Sequence, residues 1–340
     1  MAPVTQIDHY RQILSMALED RSQGYQDLVS KSTAFYAVLK RKGLWKPYSG
    51  PRIRERLLID KMDGQWYSGF DILANKPIEL FNDAYFTPKM SVVPITLSNE
   101  EILNNEGENQ LLDTMESYLE VAEGSLTEMM DAALHGDGSA NGGKAITGLN
   151  AAIPELPDQG VYGGIPRADV AKWRTSAFDV KKAFPDIGTK VDSVTIRPLL
   201  NRIMTQRSRG RRHADLLLMS AEHYEAYDAA TTAIQRIQKE GDLAKLGFSS
   251  LEYIGGGKRA EIVLDGGIGS NMPAHTTYGL DTDSMRFRYN PKRNFDKLFP
   301  GDGLMPINQD AIAQFIGFMG ELTNCNPLFS WRLFDSNPAK

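Results

Sequence analysis

The side chains able to do chemistry are few and scattered along the chain. Asp137-Gly138-Ser139-Ala140-Asn141-Gly142 opens like a calcium-binding loop, with oxygen donors at alternate positions. Such a loop needs a bidentate glutamate at its twelfth place, where Gly148 stands, so the segment reads as a helix stop. Gly255-Gly256-Gly257-Lys258-Arg259 has the Gly-Lys pair of a phosphate loop. Glu252 occupies the place of that motif's first glycine, and no Ser or Thr follows the lysine. A tight turn between strands is the better reading. His9, His135, His213, His223 and His275 contain no pair at metal-helix spacing and read as surface or structural residues. Cys325, alone in the sequence, lies in an apolar run and reads as a buried thiol. One cysteine forms no intrachain disulfide and no multi-thiolate zinc site. Asp281-Thr282-Asp283 supplies two carboxylates in a turn; with the histidines it is the basis of the rival reading, a cytoplasmic metal-dependent α/β enzyme. No Gly-x-Ser-x-Gly elbow occurs. No residue is therefore assigned a catalytic, cofactor or metal role.

Charge is more informative than candidate catalysis. Arg202, Arg207, Arg209, Arg211 and Arg212 form the densest cluster. It reads as a solvated loop, as a dock for carboxylates of another chain, or as a genome contact, the last weakened by the lack of nearby stacking aromatics. Earlier, Arg52, Arg54 and Arg56 alternate along Arg52 to Ile59, followed by Lys61-Met62-Asp63-Gly64 and then by Gln65 to Phe70, which includes Trp66 and Tyr67. Asp-Gly between two strand-like runs predicts a hairpin. So polar a hairpin finds little to pack on in its own chain and is expected to lie on a neighbour.

These residues must be positioned by longer elements. Glu106 to Leu134 places Leu111, Leu112, Met115, Tyr118, Leu119, Ala122, Leu126, Met129, Met130, Ala133 and Leu134 on one helical face. Such a helix is ~40 Å long, and His135-Gly136-Asp137-Gly138 ends it. Residues 1–45 read as amphipathic helix through Ile7, Leu14, Leu18, Leu28, Phe35, Val38 and Leu39. Lys89 to Ile95 reads as a strand, and Ser98 with Glu101 caps a short helix from Asn99 to Asn104. Residues 136–166 are glycine-rich loop. Further helices are predicted at Ala168–Ala183, Ile187–Arg207 and Ala221–Glu240. Strands are predicted at Asp215–Met219, Glu252–Ile254, Glu261–Leu264, Met285–Tyr289, Asp310–Leu322 and Leu328–Phe334.

The 340 residues, 41% hydrophobic and 24% charged, are ordinary for a folded protein with a substantial core. A net charge of −5 argues against a dedicated nucleic-acid binder. The opening MAPVTQIDHY lacks a signal-peptide pattern, and no apolar run is long enough to span a membrane. Synthesis in the cytoplasm without membrane contact is the expectation.

Taken in order, these parts resemble a tailed-bacteriophage major capsid protein of the Hong Kong 97-type fold. The resemblance covers about Ile7 to about Phe334. Beyond the hairpin and the long helix, it rests on Gly142-Gly143-Lys144, Gly148-Leu149, Gly163-Gly164-Ile165-x-Arg167 and Trp173-Arg174. Asp215 to Ser220 with Tyr224 and Tyr227, and Gly320-Glu321-Leu322-Thr323, complete it. The implied fold class is α+β. Residues 1–50 would be an N-terminal arm and 51–73 an extended loop lying across an adjacent subunit. Residues 74–145 and 284–340 would form a peripheral domain with the long helix as its spine, and 146–283 an axial domain meeting its symmetry mates. The implied function is an icosahedral shell around double-stranded DNA without sequence-specific binding, the alternative being an encapsulin-type compartment. Implied partners are copies of the chain as hexamers and pentamers, a portal protein and a separate scaffolding protein; no cofactor is implied. The virion is the implied location, after assembly in a host cytoplasm. Arg52, Arg54, Arg56, Trp66, Tyr67, Arg207, Arg209, Arg211 and Arg212 are then candidate contacts, with Glu106 and Glu108 as carboxylate partners for the hairpin arginines.

Overall fold

The computed structural model describes residues 34–58, 62, 64–72, 80–98, 121–232 without 123 and 127, 250–298 without 268 and 269, and 310–336. Its strands are β1 (Trp45–Pro47), β2 (Ile53–Leu58), β3 (Phe81–Phe86), β4 (Lys89–Ser98), β5 (Val161–Tyr162), β6 (Ile165–Pro166) and β7 (Ser176–Asp179). There follow β8 (Leu216–Met219), β9 (Ser250–Gly255), β10 (Lys258–Leu264), β11 (Thr276–Leu280), β12 (Met285–Lys297), β13 (Ala311–Asn324) and β14 (Trp331–Phe334). The longer helices are α1 (Ala34–Arg41), α2 (residues 121–135), α3 (Ile196–Gln206) and α4 (Ala221–Thr232).

One sheet has the order β7-β14-β11-β8-β10-β9. Its centre is β8, Leu216-Leu217-Leu218-Met219, wholly buried, as a continuous apolar run requires when both faces are covered. α3 packs on this sheet with Ile196, Leu199, Leu200, Ile203 and Met204, the three-and-four spacing of one helical face. β11 carries Gly279 opposite Trp331 of β14. A Cβ at Gly279 would sit 2.1 Å from the indole, so the buried tryptophan needs a bare backbone there.

The second sheet runs β1-β12-β13-β4. The β12–β13 register shifts between Tyr289 and Asp296, where Phe295 adopts φ +57. This irregularity turns the Phe295 ring inward, stacked 4.9 Å from Phe318. Trp45 of β1 stacks at 4.3 Å on Phe287, joining α1 to the same core. α2 adds Ala122, Leu126, Met130 and Leu134 to it.

Several elements differ from the sequence reading. Ala168–Ala183 is not one helix but a short turn at Ala171–Trp173, then β7, then one turn at Val180–Ala183. Parallel pairing of Ser176–Asp179 with β14 outweighs local helix preference. The helix expected from Ile187 starts at Ile196, behind a turn in which Asp192 Oδ1 accepts the amides of Val194 and Thr195. The hairpin is also different. β2 pairs with β3, Ile53 opposite Phe86 through Leu58 opposite Phe81, whereas Gln65 to Phe70 is unpaired. β3 contributes buried Ala84 and Phe86 to match Ile53 and Leu57, an inward face that Gln65 to Phe70 lacks. β14 begins at Trp331 after a short turn at Pro327–Phe329, and lies in the six-stranded sheet rather than with β12 and β13. Ile7, Leu14, Leu18, Leu28, the short helix expected from Asn99, the expected start of the long helix at Glu106 and the residues after Thr232 expected to be helical fall outside the described residues.

Candidate subunit-contact surface

The β2–β3 ribbon is anchored by the residue between its arginines. Glu55 Oε1 accepts hydrogen bonds from Arg288 Nε and Nη2 of β12 at 2.9 and 2.8 Å, and from the Thr323 hydroxyl of β13 at 3.2 Å. Alternation along β2 thus turns Glu55 to the four-stranded sheet and the arginines outward. Arg54 then meets Asp83 of β3 at 2.6 Å, and Arg56 lies 5.7 Å over the Phe81 ring. Arg52 is exposed. Two of the three hairpin arginines are therefore engaged within the chain, and Glu106 and Glu108 lie outside the described residues.

Beyond Leu58 the character reverses. Trp66, Phe70 and Ile72 are 103%, 105% and 96% exposed, and Met62 and Tyr67 are exposed as well. The segment is ordered locally: Ser68 N donates to Asp71 Oδ2 at 2.9 Å, with Gly69 at φ +57 in the bend. Single exposed apolar residues are common, but an apolar tip at the end of an anchored ribbon is not.

An apolar groove of about 380 Å³ lies where β4 meets the end of α2. Met90 and Val92 are exposed on one side, with Met129, Ala133 and Ile146 opposite. Residues of the end of α2 and of the loop after it line it. A Cβ at Gly148 would lie 2.3 Å from the Ala133 carbonyl and 2.4 Å from that of Leu134, so only glycine lets the chain pass this close to the end of α2. Asp137 Oδ1 accepts the Ser139 amide and hydroxyl, closing the turn once compared with a calcium loop.

His135 ends α2 in a buried acidic clamp. Nδ1 lies 3.0 Å from the Asp131 carbonyl and 3.4 Å from its Oδ1, and Nε2 lies 3.1 Å from Asp265 Oδ2. Asn271 donates its amide and side chain to Asp131 Oδ2 at 2.9 and 2.8 Å. Burial alone would expel the proton, but the hydrogen bonds to Asp131 and Asp265 outweigh it and raise the pKa to about 10. The three residues place potential metal donors within 4.8 Å. Each ring nitrogen, however, faces a different carboxylate, the arrangement of an imidazolium rather than of one shared ion. Glu321 of β13 is also buried; burial pushes its pKa up to about 7, although Oε1 accepts the Thr147 amide at 2.7 Å. Nothing in the sequence spacing linked His135 to Asp265 or Thr147 to Glu321.

The remaining candidates separate. Arg207, Arg209, Arg211 and Arg212 sit between α3 and β8, and Arg212 shares a pocket with Leu57 and Leu58 of the ribbon. His213 Nε2 is 3.0 Å from the Arg259 carbonyl, and His223 is buried against the Thr277 hydroxyl at 2.8 Å. Asp281 is buried and Asp283 exposed, so the two carboxylates do not converge. Gly256 and Gly257 make the tight turn between β9 and β10. The Cys325 thiol donates to the Ser284 carbonyl at 3.2 Å, and burial raises its pKa, which disfavours a nucleophile. Arg167 and Trp173, carried by the resemblance, are internal braces: Arg167 Nη2 donates to the Ala151 and Ala152 carbonyls, and Trp173 Nε1 to that of Tyr162.

No protein-family model matches the sequence, and no curated protein does. Solved structures do match. The cyanophage A-1(L) capsid asymmetric unit superposes with TM-score 0.57 at 13% identity, covering 87% of this chain and 92% of that one. The Gordonia phage Cozz structure gives 0.50 at 14%, covering 87% and 86%. The holo-SrpI encapsulin complex from Synechococcus elongatus PCC 7942 gives 0.50 at 11%, covering 87% of both chains. At such identities the likeness is one of architecture. The chain has an α+β fold of the Hong Kong 97 type, the fold of these shell proteins.

Proposed function

We propose that this chain is a shell subunit without catalytic activity, which assembles through copies of itself into the icosahedral capsid of a tailed phage around double-stranded DNA. The observation that carries the proposal is the ribbon: it is fixed to its own sheet at Glu55 but ends in a fully exposed aromatic tip. A neighbouring copy covers that tip. Trp66, Phe70 and Ile72 then dock in the groove beside Met90 and Met129 of the next subunit, matching apolar surface to apolar surface. Repetition around a closed shell multiplies a modest contact. Residues 51–73 act as the extended loop, the six-stranded sheet with α3 and α4 as the axial domain, and α2 with the four-stranded sheet as the peripheral domain. Hexamers and pentamers, a separate scaffolding protein and a portal protein belong to this reading, as do a virion location and assembly in the host cytoplasm. Among the described residues no helix is long and apolar enough to cross a membrane.

Negative-stain microscopy of the purified chain tests the proposal, with Trp66→Ser/Phe70→Ser beside wild type. Wild type should give shells, tubes or capsomers, and the variant a folded, unassembled chain. Normal shells from the variant would refute the contact, and a wild type that stays monomeric would refute the function. In a Cys325→Ser background, Phe70→Cys with Met90→Cys should cross-link between chains. The encapsulin likeness supports a second reading, a host compartment; purified particles would then hold protein cargo rather than DNA.

A further inference from the structure

The fold divides the arginine run. Arg202 pairs with Asp186, Arg207 is half-buried over Phe178, and Arg212 reaches toward Asp281 at 3.8 Å while lying over Phe329. Arg209 and Arg211 are exposed, and among the described residues no acid pairs with either. Between them the backbone reverses through Gly210 at φ +61, closed by mutual hydrogen bonds of Arg209 and Arg212 at 2.9 and 3.1 Å. The β9–β10 turn, with Gly256 and Gly257 at φ +57 and +72, lies beside it. Lys258 Nζ donates to the Gly210 carbonyl, and His213 reaches the Arg259 carbonyl, so the two turns are stitched together. Arg209, Arg211, Lys258 and Arg259 therefore share one edge of the six-stranded unit. Of the adjacent acids, Glu261 is taken by Arg41 and Asp215 by Lys42, while Glu252 shares a pocket with Arg259 and leaves the edge with a net positive charge.

The chemistry of this edge selects its partner. A protein-docking face is built around aromatic or apolar anchors, whereas the large apolar side chain exposed beside these turns among the described residues is Ile254, opposite Arg259 and only 38% exposed. Single-stranded nucleic acid needs stacking rings, and among the described residues neither turn exposes one. Four cations on and beside two tight turns, with a single part-exposed isoleucine and no ring among them, match a duplex phosphate backbone, which needs charge and no base contact. We propose that Arg209, Arg211, Lys258 and Arg259 form a sequence-independent contact for the phosphates of double-stranded DNA. The proposal deepens the shell reading, from which it takes the identity of the nearby polyanion; binding itself is a property of the single subunit.

The test is fluorescence anisotropy of unassembled wild-type chain with a short duplex of mixed sequence, across a salt series. If the four side chains each neutralise one phosphate, log K falls against log salt with a slope of about −3.6. Arg209→Gln/Arg211→Gln/Lys258→Gln/Arg259→Gln should abolish most of that slope and weaken binding at least tenfold, with an unchanged circular dichroism melt. Lys46→Gln/Lys181→Gln/Lys190→Gln/Lys292→Gln removes the same charge from other exposed positions and should bind like wild type. Equal losses in both variants would overturn the proposal in favour of a net-charge effect. It also fails if wild type ignores the duplex but captures polyglutamate, or if the patch variant binds DNA normally yet cannot assemble. A patch variant that forms shells and has lost DNA binding supports it. The shell reading is judged separately, by the wild-type particles.

Discussion

The six-stranded sheet and the β2–β3 ribbon use the same strand chemistry for opposite ends. In the sheet, β8 is buried throughout, and Trp331 fills space that Gly279 leaves open. In the ribbon, two strands outside both sheets bury only their inner residues, Ile53, Leu57, Ala84 and Phe86, are anchored by Glu55, and are followed by exposed aromatics. A two-stranded unit is marginal in water, so the ribbon depends on its anchor at one end and, in the proposed shell, on a neighbour at the other. Burial in one region makes the fold; exposure in the other supplies the surface that the proposed contact uses.

That contrast can be broken at four points. Trp331→Ala should cost about 4 kcal/mol by emptying the centre of the sheet, measured by urea unfolding; a loss below about 1 kcal/mol would mean that the two regions are not so different. His135→Gln should cost about 3 kcal/mol by leaving buried Asp265 without its cation and Asp131 with its Asn271 bonds alone. Because the folded pKa of His135 lies above its unfolded value, its contribution is complete below about pH 6.5 and disappears as pH rises toward 10. Wild type should therefore lose stability across that alkaline window while the glutamine variant changes less. Glu55→Ala should cost about 2 kcal/mol by leaving the Arg288 guanidinium unpaired. Its more telling effect is faster proteolysis within residues 59–80 at unchanged cleavage elsewhere. Trp66→Ser/Phe70→Ser should leave the melting of the unassembled chain within about 0.5 kcal/mol of wild type. A larger loss would show that the tip packs on its own body.

Much of the sheet was legible because burial leaves a local record. Leu216 to Met219, the Gly256-Gly257 turn and the stop at His135 follow from residues within a few places of one another. The ribbon was legible in part: the alternation of β2 was plain, but its partner lay beyond an intervening segment, and an Asp-Gly pair drew the pairing to the wrong side of it. The arginines drew attention for their charge, although Arg54 and Arg56 find uses at home and the exposed rings beside them are the unsatisfied surface. The His135 clamp and the Glu55 anchor join residues 130 and 233 positions apart, pairings that no periodicity records.

The placing of β14 has a consequence for the order of events at synthesis. It is the strand through which β7 joins the sheet, pairing with β7 on one side and β11 on the other. A nascent chain that has already emerged through β11 must wait for Trp331 to Phe334 before that edge can close. Pairing across such a separation is slow, and in the interval two raw strand edges are open to other growing chains. In the proposed shell, which needs many copies at once, that delay is when premature association is most dangerous, and a chaperone or a slow rate of translation would matter most there.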